Sequence, residues 1–149
     1  ICQVSSTVFQ SVLRANLKIK VRACHSLEIS YVPLGGDATV QWNSQDFQFV
    51  NDSNCDIRLS VTANDGTLTC TVEAKEDIKP GKVDIKIKKD GKSYILTRSV
   101  DGEVNYTTYS KYSKPKTTTT KKDSKNKKDK DKDKDKTTKK DKETTKKKS

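Results

Sequence analysis

The first stretch of the chain repeats apolar side chains at the spacing of one helical face. These apolar positions are three to five residues apart and are Val4, Val8, Phe9, Val12, Leu13 and Leu17. Polar side chains take the opposite face, at Ser6, Gln10, Ser11 and Arg14. The periodicity predicts an amphipathic α-helix over residues 3–17, which begins at or just after Cys2.

The period then changes from that of a helix to that of half-buried strands. The segments LKIKVRA, DATVQW and DFQFV alternate apolar with polar residues, and each is predicted to form a strand. Pro33 and the glycine pair at 35–36 predict a loop between the first two, and NSQ suits a short turn between the last two. In the second strand, one face is expected to carry Ala38, Val40 and Trp42.

Two hairpins are predicted downstream. IRLSVTANDGTLTCTVEA alternates on both sides of NDG, and Asn and Asp before Gly tolerate the positive φ of a tight turn. KVDIKIKKDGKSYILTR repeats the pattern around a second Asp-Gly, but it is poorer in apolar residues, so we expect an edge or an appended ribbon. The predicted class is α+β, with one N-terminal amphipathic helix packed on antiparallel strands and hairpins.

The positive charge of the chain is concentrated at its C-terminal end. The net charge is +11, and residues 114–149 contribute +10 of it, from 17 lysines against seven acidic residues. This segment has no large apolar residue and is predicted to be a disordered tail. We divide the chain into a first domain at 1–77, a β-hairpin extension at 78–113 and the tail. Because the tail contains no aromatic residue, we predict no nucleic-acid partner.

The chain has no methionine and starts at Ile1, so we expect it to be the C-terminal part of a longer protein. It contains no apolar run of the roughly 20 residues that a membrane span needs. A signal or membrane anchor is therefore expected only upstream of Ile1.

The four cysteines at positions 2, 24, 55 and 70 permit three disulfide pairings, and His25 is the only histidine. Zinc is conceivable by ligand count, but the chain has no close Cys pair, so the spacing is poor for a structural site. We predict neither a metal nor a cofactor.

Cys2 is the strongest candidate for chemistry. A cysteine at a helix N-terminus meets unpaired backbone N–H groups and the positive end of the helix dipole, which favour the thiolate. His25 follows 23 residues later, at the end of the first predicted strand, and antiparallel packing returns that point toward the helix start. Gln3 could supply a side-chain amide beside the sulfur. Packing and disulfide roles for Cys2 remain open alternatives.

Four motifs together resemble the VanW-like domain of bacterial envelope proteins. They are ICQVSST, HSLEISYVPLGGDATV, DFQFVNDSNCDIRL and NDGTLT, in order over roughly residues 1–73. Two features depart from the family pattern: the usual glycine triplet before Ile-Cys-Gln lies outside this chain, and Ala23-Cys24 stands where His-Pro is common. Some members of the family are similar to cysteine L,D-transpeptidases, which cross-link peptidoglycan stem peptides.

The resemblance implies a role for each candidate residue. Cys2 would accept the acyl group and His25 would act as the base, while Asp37 would orient His25 or simply serve as a turn aspartate. Gln3 and Tyr31 would bind substrate, although Tyr31 could also only pack.

The resemblance also implies an extracellular or cell-envelope location in a bacterium, with peptidoglycan stem peptides as partners and no cofactor. The tail could associate with anionic wall polymers, since it is rich in lysine. The alternative function is a non-catalytic envelope module that binds the wall.

Overall fold

The structure, a computed structural model, describes residues 1–114. The elements in chain order are α1 Cys2–Arg14, β1 Lys18–Val21, β2 Gln48–Val50, β3 Ile57–Asn64, β4 Thr67–Ala74, β5 Val83–Asp90, β6 Ser93–Val100 and β7 Glu103–Lys111. All pairs between these strands are antiparallel. The predicted arrangement of one N-terminal helix with antiparallel strands is confirmed, and the fold is mostly β. The tail prediction lies outside the described residues, apart from Lys114.

Helix α1 begins at Cys2, as the sequence predicts, and ends at Arg14, three residues earlier than predicted. Asn16 adopts a φ of 56°, a left-handed conformation that cannot continue a helix and that Asn tolerates. The buried face includes Ser6, which the periodicity assigns to the polar face; its hydroxyl instead bonds the backbone of Ala38 through both N–H and C=O. No helix within residues 1–114 has the length and apolar content needed to cross a membrane.

The strands form three small sheets. β1 pairs with β2, β3 pairs with β4, and β5, β6 and β7 form a three-stranded sheet in that order. The first predicted hairpin is confirmed: Asn64 pairs with Thr67, and the turn residues Asp65 and Gly66 have φ values of 46° and 75°. The predicted second hairpin is one half of the three-stranded sheet.

The core joins α1 to the last sheet. It consists of Phe9, Leu13, Ala38 and Leu96, surrounded by partly buried apolar side chains. Leu96 lies on β6, so this sheet contributes to the core and is not an appended ribbon. Arg98 on the same strand is 4% exposed, and its guanidinium donates to the carbonyls of Leu13 in α1 and of Leu17 in the segment that follows it. The proposed boundary between residues 77 and 78 remains a prediction.

The predicted DATVQW strand is largely absent. Thr39 and Gln41 form only isolated bridges, with Ala23 and Gln45. Ala38 is fully buried whereas Trp42 is 91% exposed, so their expected common face is wrong. The reason is that side chains, rather than a neighbouring strand, supply most of the hydrogen bonds of this segment, and the chain turns at Trp42.

Candidate active site

Cys2 is the first residue of α1, directly after the N-cap residue Ile1. The carbonyl of Ile1 accepts hydrogen bonds from the N–H groups of Val4 and Ser5, at 2.9 and 3.2 Å. The N–H groups of Cys2 and Gln3 precede Val4, the first residue whose N–H is bonded within the helix, and are therefore among the donors that a helix cannot satisfy internally. The positive end of the helix dipole adjoins the thiol, as the sequence predicts.

The Cys2 sulfur contacts the segment that follows the glycine pair. Sγ lies 3.5 Å from Oγ1 of Thr39 and 3.4 Å from the carbonyl oxygen of Val40. The hydrogen bond with the Thr39 hydroxyl is the largest cause that lowers the pKa of Cys2, from 9.0 to about 7. The Val40 backbone lowers this pKa further, burial opposes the change, and His25 adds smaller contributions through hydrogen bonding and charge. A large fraction of Cys2 is therefore thiolate at neutral pH.

His25 is held at both ring nitrogens. Nδ1 lies 2.6 Å from Oδ2 of Asp37, and the backbone N–H of His25 donates to the same oxygen at 2.7 Å. Nε2 lies 3.2 Å from the hydroxyl of Tyr31. Because an ionised carboxylate only accepts hydrogen bonds, Nδ1 carries the proton and Nε2 keeps its lone pair in the neutral ring. This tautomer allows His25 to act as a base through Nε2.

Asp37 is a fully buried carboxylate at the centre of the site. Its Oδ1 accepts hydrogen bonds from Arg22 Nη2, at 3.0 Å, and from the Tyr112 hydroxyl. Burial alone would raise the pKa of Asp37, but hydrogen bonds from Tyr112 and His25 and the charge of Arg22 outweigh it, so the pKa lies below its ordinary 3.8. Asp37 is consequently ionised at neutral pH, as its bond to Nδ1 requires.

The sequence analysis missed Arg22 and Tyr112, which fix this carboxylate. The Arg22 side chain is 2% exposed and donates to the Asp37 carbonyl at 2.6 Å and to Ser110 Oγ at 2.8 Å. The Tyr112 hydroxyl also accepts the N–H of Gly35, at 2.7 Å. Burial, followed by the bond to Asp37, raises the pKa of Tyr112 to about 12.

Arg22 follows from the burial of Asp37, because a buried aspartate requires a buried cation or several donors, but the sequence pattern does not show that burial. The alternating pattern of LKIKVRA assigned its basic residues to solvent. No local signal pointed to Tyr112, which is 75 residues from Asp37 in the sequence.

The structure brings together four of the five predicted site residues, namely Cys2, His25, Asp37 and Tyr31. Asp37 binds the histidine and is not merely a turn residue. Gln3 is exposed and lies beside the site; with Thr7, Tyr31 and residues 66–68 it lines a groove of about 260 Å³ between α1 and the β3–β4 turn. A second cleft, of about 700 Å³, is lined by Ile1 and residues 40–46.

The four cysteines are free thiols in the structure. Cys70 is half-buried rather than part of the core, and its carbonyl accepts a hydrogen bond from Ser11. Within residues 1–114, no group of three or more His, Cys, Asp or Glu side chains could hold a metal ion.

Comparison with known proteins supports the resemblance noted in the sequence. Residues 1–73 match the family model described as VanW like protein. These residues form a VanW-like domain. The chain is also 42% identical over 78 residues to the Uncharacterized protein YoaR of Bacillus subtilis (strain 168), an alignment that covers 52% of this chain and 26% of the relative. The chain thus spans about a quarter of that bacterial relative's length.

No solved structure matches the chain significantly. The VanW-like residues include Cys2, His25 and Asp37. Ser110 on β7 and Tyr112, which directly follows β7, lie outside the matched range.

Proposed function

We propose that this chain is part of a cell-envelope cysteine acyltransferase of the L,D-transpeptidase type, which acts on peptidoglycan stem peptides through a thioester on Cys2. One arrangement carries the proposal: a helix-start thiol with a pKa of about 7 lies beside an imidazole whose Nδ1 is bound by a buried carboxylate. Nucleophile, base and orienting group are the three parts that thiol acyl transfer requires.

In the first stage, the Cys2 thiolate attacks the carbonyl carbon that joins an L-centre to a terminal D-residue. The thiol proton has passed to Nε2 of His25, and the positive charge of the imidazolium is stabilised by Asp37. The carbonyl oxygen becomes negative and can accept hydrogen bonds from the first N–H groups of α1. The C–N bond then breaks, the amine of the D-residue takes the proton from His25, and the acyl group stays on sulfur.

In the second stage, an amine from a neighbouring stem peptide, or water, attacks the thioester. The nucleophile gives its proton to Nε2, the C–S bond breaks, and Cys2 returns as the thiolate. Asp37 holds the same ring orientation for both proton transfers, because its bond to Nδ1 does not change.

A second candidate is a non-catalytic envelope module that binds wall polymer or a protein. One observation favours it: the Tyr31 hydroxyl, at 3.2 Å, engages the nitrogen that would receive the thiol proton. Tyr31 is 38% exposed, so its side chain has room to move when substrate enters. The catalytic proposal requires this bond to open, whereas the binding module does not.

The deciding experiment incubates the full-length protein with a donor stem peptide and an amine acceptor. We expect cross-linked product, together with an acyl adduct on Cys2 in the tryptic peptide that ends at Arg14. Cys2→Ala should abolish both, and the control Cys55→Ala should leave both unchanged. Undiminished product from Cys2→Ala would refute the proposal. Wall binding without any acylation of the wild type would favour the second candidate.

The proposal also includes the location and the tail. Acting on stem peptides requires an envelope location, and the lysine-rich residues 114–149 would associate with anionic wall polymers. Such an association weakens with salt, because it depends on screened charges. Deletion of the tail should therefore reduce retention on isolated cell walls at low salt and have little effect at high salt.

A further inference from the structure

A large aromatic side chain is exposed two residues after Val40, whose carbonyl oxygen contacts the Cys2 sulfur. Trp42 is 91% exposed, although indole is one of the most costly side chains to leave hydrated. It lies on the cleft of about 700 Å³ that is lined by Ile1 and residues 40–46. Exposed aromatic side chains on a concave surface are typical of ligand-binding sites.

This cleft, which we call the Trp42 cleft, is lined by two residues that adjoin Cys2. Val40 is part of its wall, and the carbonyl oxygen of Val40 lies 3.4 Å from Sγ. Ile1, the residue before Cys2, forms another part of the wall. A ligand that binds against Trp42 and reaches Val40 would therefore lie near the sulfur.

We propose that the Trp42 cleft binds the acyl part of the donor peptide, and that it is distinct from the groove that Tyr31 lines, with which it shares no lining residue. This inference rests on the proposed function. Both the leaving amine of the donor and the second nucleophile exchange a proton with Nε2 of His25, and Nε2 faces Tyr31. The groove of Gln3, Thr7 and Tyr31 is therefore the better place for the leaving amine and then for the acceptor, which leaves the Trp42 cleft to the acyl part of the donor.

The lining of the Trp42 cleft specifies the chemistry of the donor. Asn43, Ser44 and Gln45 offer amide and hydroxyl groups that can pair with the N–H and C=O groups of a peptide backbone. Asp46 is the one carboxylate among the lining residues. The cleft thus suits a peptide that packs an apolar surface on the indole and carries an amine near Asp46.

The binding test uses the indole itself, because Trp42 is the only tryptophan of the chain. The Cys2→Ala variant is titrated with the donor stem peptide, with the same peptide acetylated on its side-chain amine, and with the wall glycan without peptide. We expect a saturable blue shift of Trp42 emission with the donor, about tenfold weaker binding after acetylation, and no shift with the glycan. A shift with the glycan alone, or none with the donor while the wild type is acylated, would overturn the inference.

A kinetic test separates this inference from the proposed function. Trp42→Ala should raise the donor KM for acylation of Cys2 about tenfold, as for other aromatic anchors, and leave the acceptor KM unchanged. Its rate of alkylation by iodoacetamide should equal that of the wild type, because the thiol is intact. The matched control is Tyr109→Ala, which removes another aromatic side chain, 67% exposed on β7.

Failure of the donor-cleft inference and failure of the proposed function give different results. Normal acylation in Trp42→Ala, with an unchanged donor KM, refutes the donor cleft and leaves the proposed function standing. If the wild type is never acylated but the donor still shifts Trp42 emission, the transferase proposal fails and the cleft remains a peptide-binding site.

Discussion

Replacing Thr39 with valine tests what ionises Cys2. The substitution keeps the shape of the side chain and removes the hydroxyl, whose hydrogen bond is the largest cause of the lowered thiol pKa. We expect the pKa of Cys2 to rise from about 7 part of the way to 9.0. Thr39→Ser keeps a hydroxyl and should stay near the wild-type value.

The expected change in reactivity is smaller than the change in ionisation. At pH 7, a return of the pKa from about 7 to 9.0 would lower the thiolate fraction about 50-fold. A thiolate of higher pKa is intrinsically more nucleophilic, with a Brønsted slope of about 0.4–0.5, which restores a factor of about eight. A complete return of the pKa to 9.0 would therefore lower the alkylation rate at pH 7 about sixfold. Thr39→Val alone should lower this rate about two- to fivefold.

The assay is the pH dependence of alkylation by iodoacetamide, followed by mass spectrometry of the tryptic peptide 1–14. This peptide reports Cys2 alone, and the peptide 59–75, which contains Cys70, provides an internal reference for the reagent. The midpoint of the pH profile decides the question, since a single rate at pH 7 mixes ionisation with nucleophilicity. A midpoint that stays near 7 in Thr39→Val would refute the role assigned to the hydroxyl.

Three further substitutions test the stability of the site and the core by urea denaturation followed by far-UV circular dichroism. Asp37→Asn leaves a buried guanidinium without its counter-charge and should cost about 3–5 kcal/mol, against little change for the exposed Asp56→Asn. Because the pKa of Asp37 in the folded protein lies below 3.8, its negative charge contributes fully to the free energy of unfolding above that pH. The difference in this free energy between variant and wild type should shrink as the pH falls further. Tyr112→Phe removes one donor to the carboxylate and should cost about 1–3 kcal/mol, whereas Tyr109→Phe on the exposed side should cost almost nothing. Leu96→Ala should cost about 2–5 kcal/mol if β6 is part of the core, and a value under about 1 kcal/mol would contradict the packing described.

The local elements of the fold could be predicted because their signals are local. The stripe from Val4 to Leu13 repeats over nearly three helical turns, and Asn64-Asp65-Gly66 contains the residues that a tight turn with positive φ requires. The partners of these elements could not be predicted in the same way. Periodicity shows that β5 and β6 have an apolar side, but not that Leu96 packs on α1.

The predicted strand at DATVQW shows a second limit of periodicity. Asp37, Thr39 and Gln41 alternate with apolar residues and therefore look like the solvent face of a strand. In the structure, Asp37 and Thr39 are buried, because one carboxylate and one hydroxyl find polar partners inside the protein. A binary pattern of apolar and polar residues cannot represent a polar side chain that is buried for its hydrogen bonds.

The candidate site was partly accessible from the sequence, since a lone histidine and a helix-start cysteine limit the choices. The missing part is the support of the carboxylate, which depends on contacts across the whole described chain. Arg22 reaches Ser110 across 88 positions, and Tyr112 reaches Asp37 across 75. Such pairs leave no trace in local composition or spacing.

The hydrogen bonds of Tyr112 and Ser110 connect the VanW-like residues of the site to a sheet that lies outside the matched range. His25 is oriented by Asp37, and Asp37 accepts hydrogen bonds from Tyr112, which directly follows β7, and from Arg22, which also donates to Ser110 on β7. A local opening of β7 would free the carboxylate to rotate and would expose the buried guanidinium to water. The orientation of the imidazole is thus maintained by the packing of the last sheet, whose central strand places Leu96 against α1, the same helix that presents the thiol. Leu96, Ser110 and Tyr112 therefore act as structural support for the site.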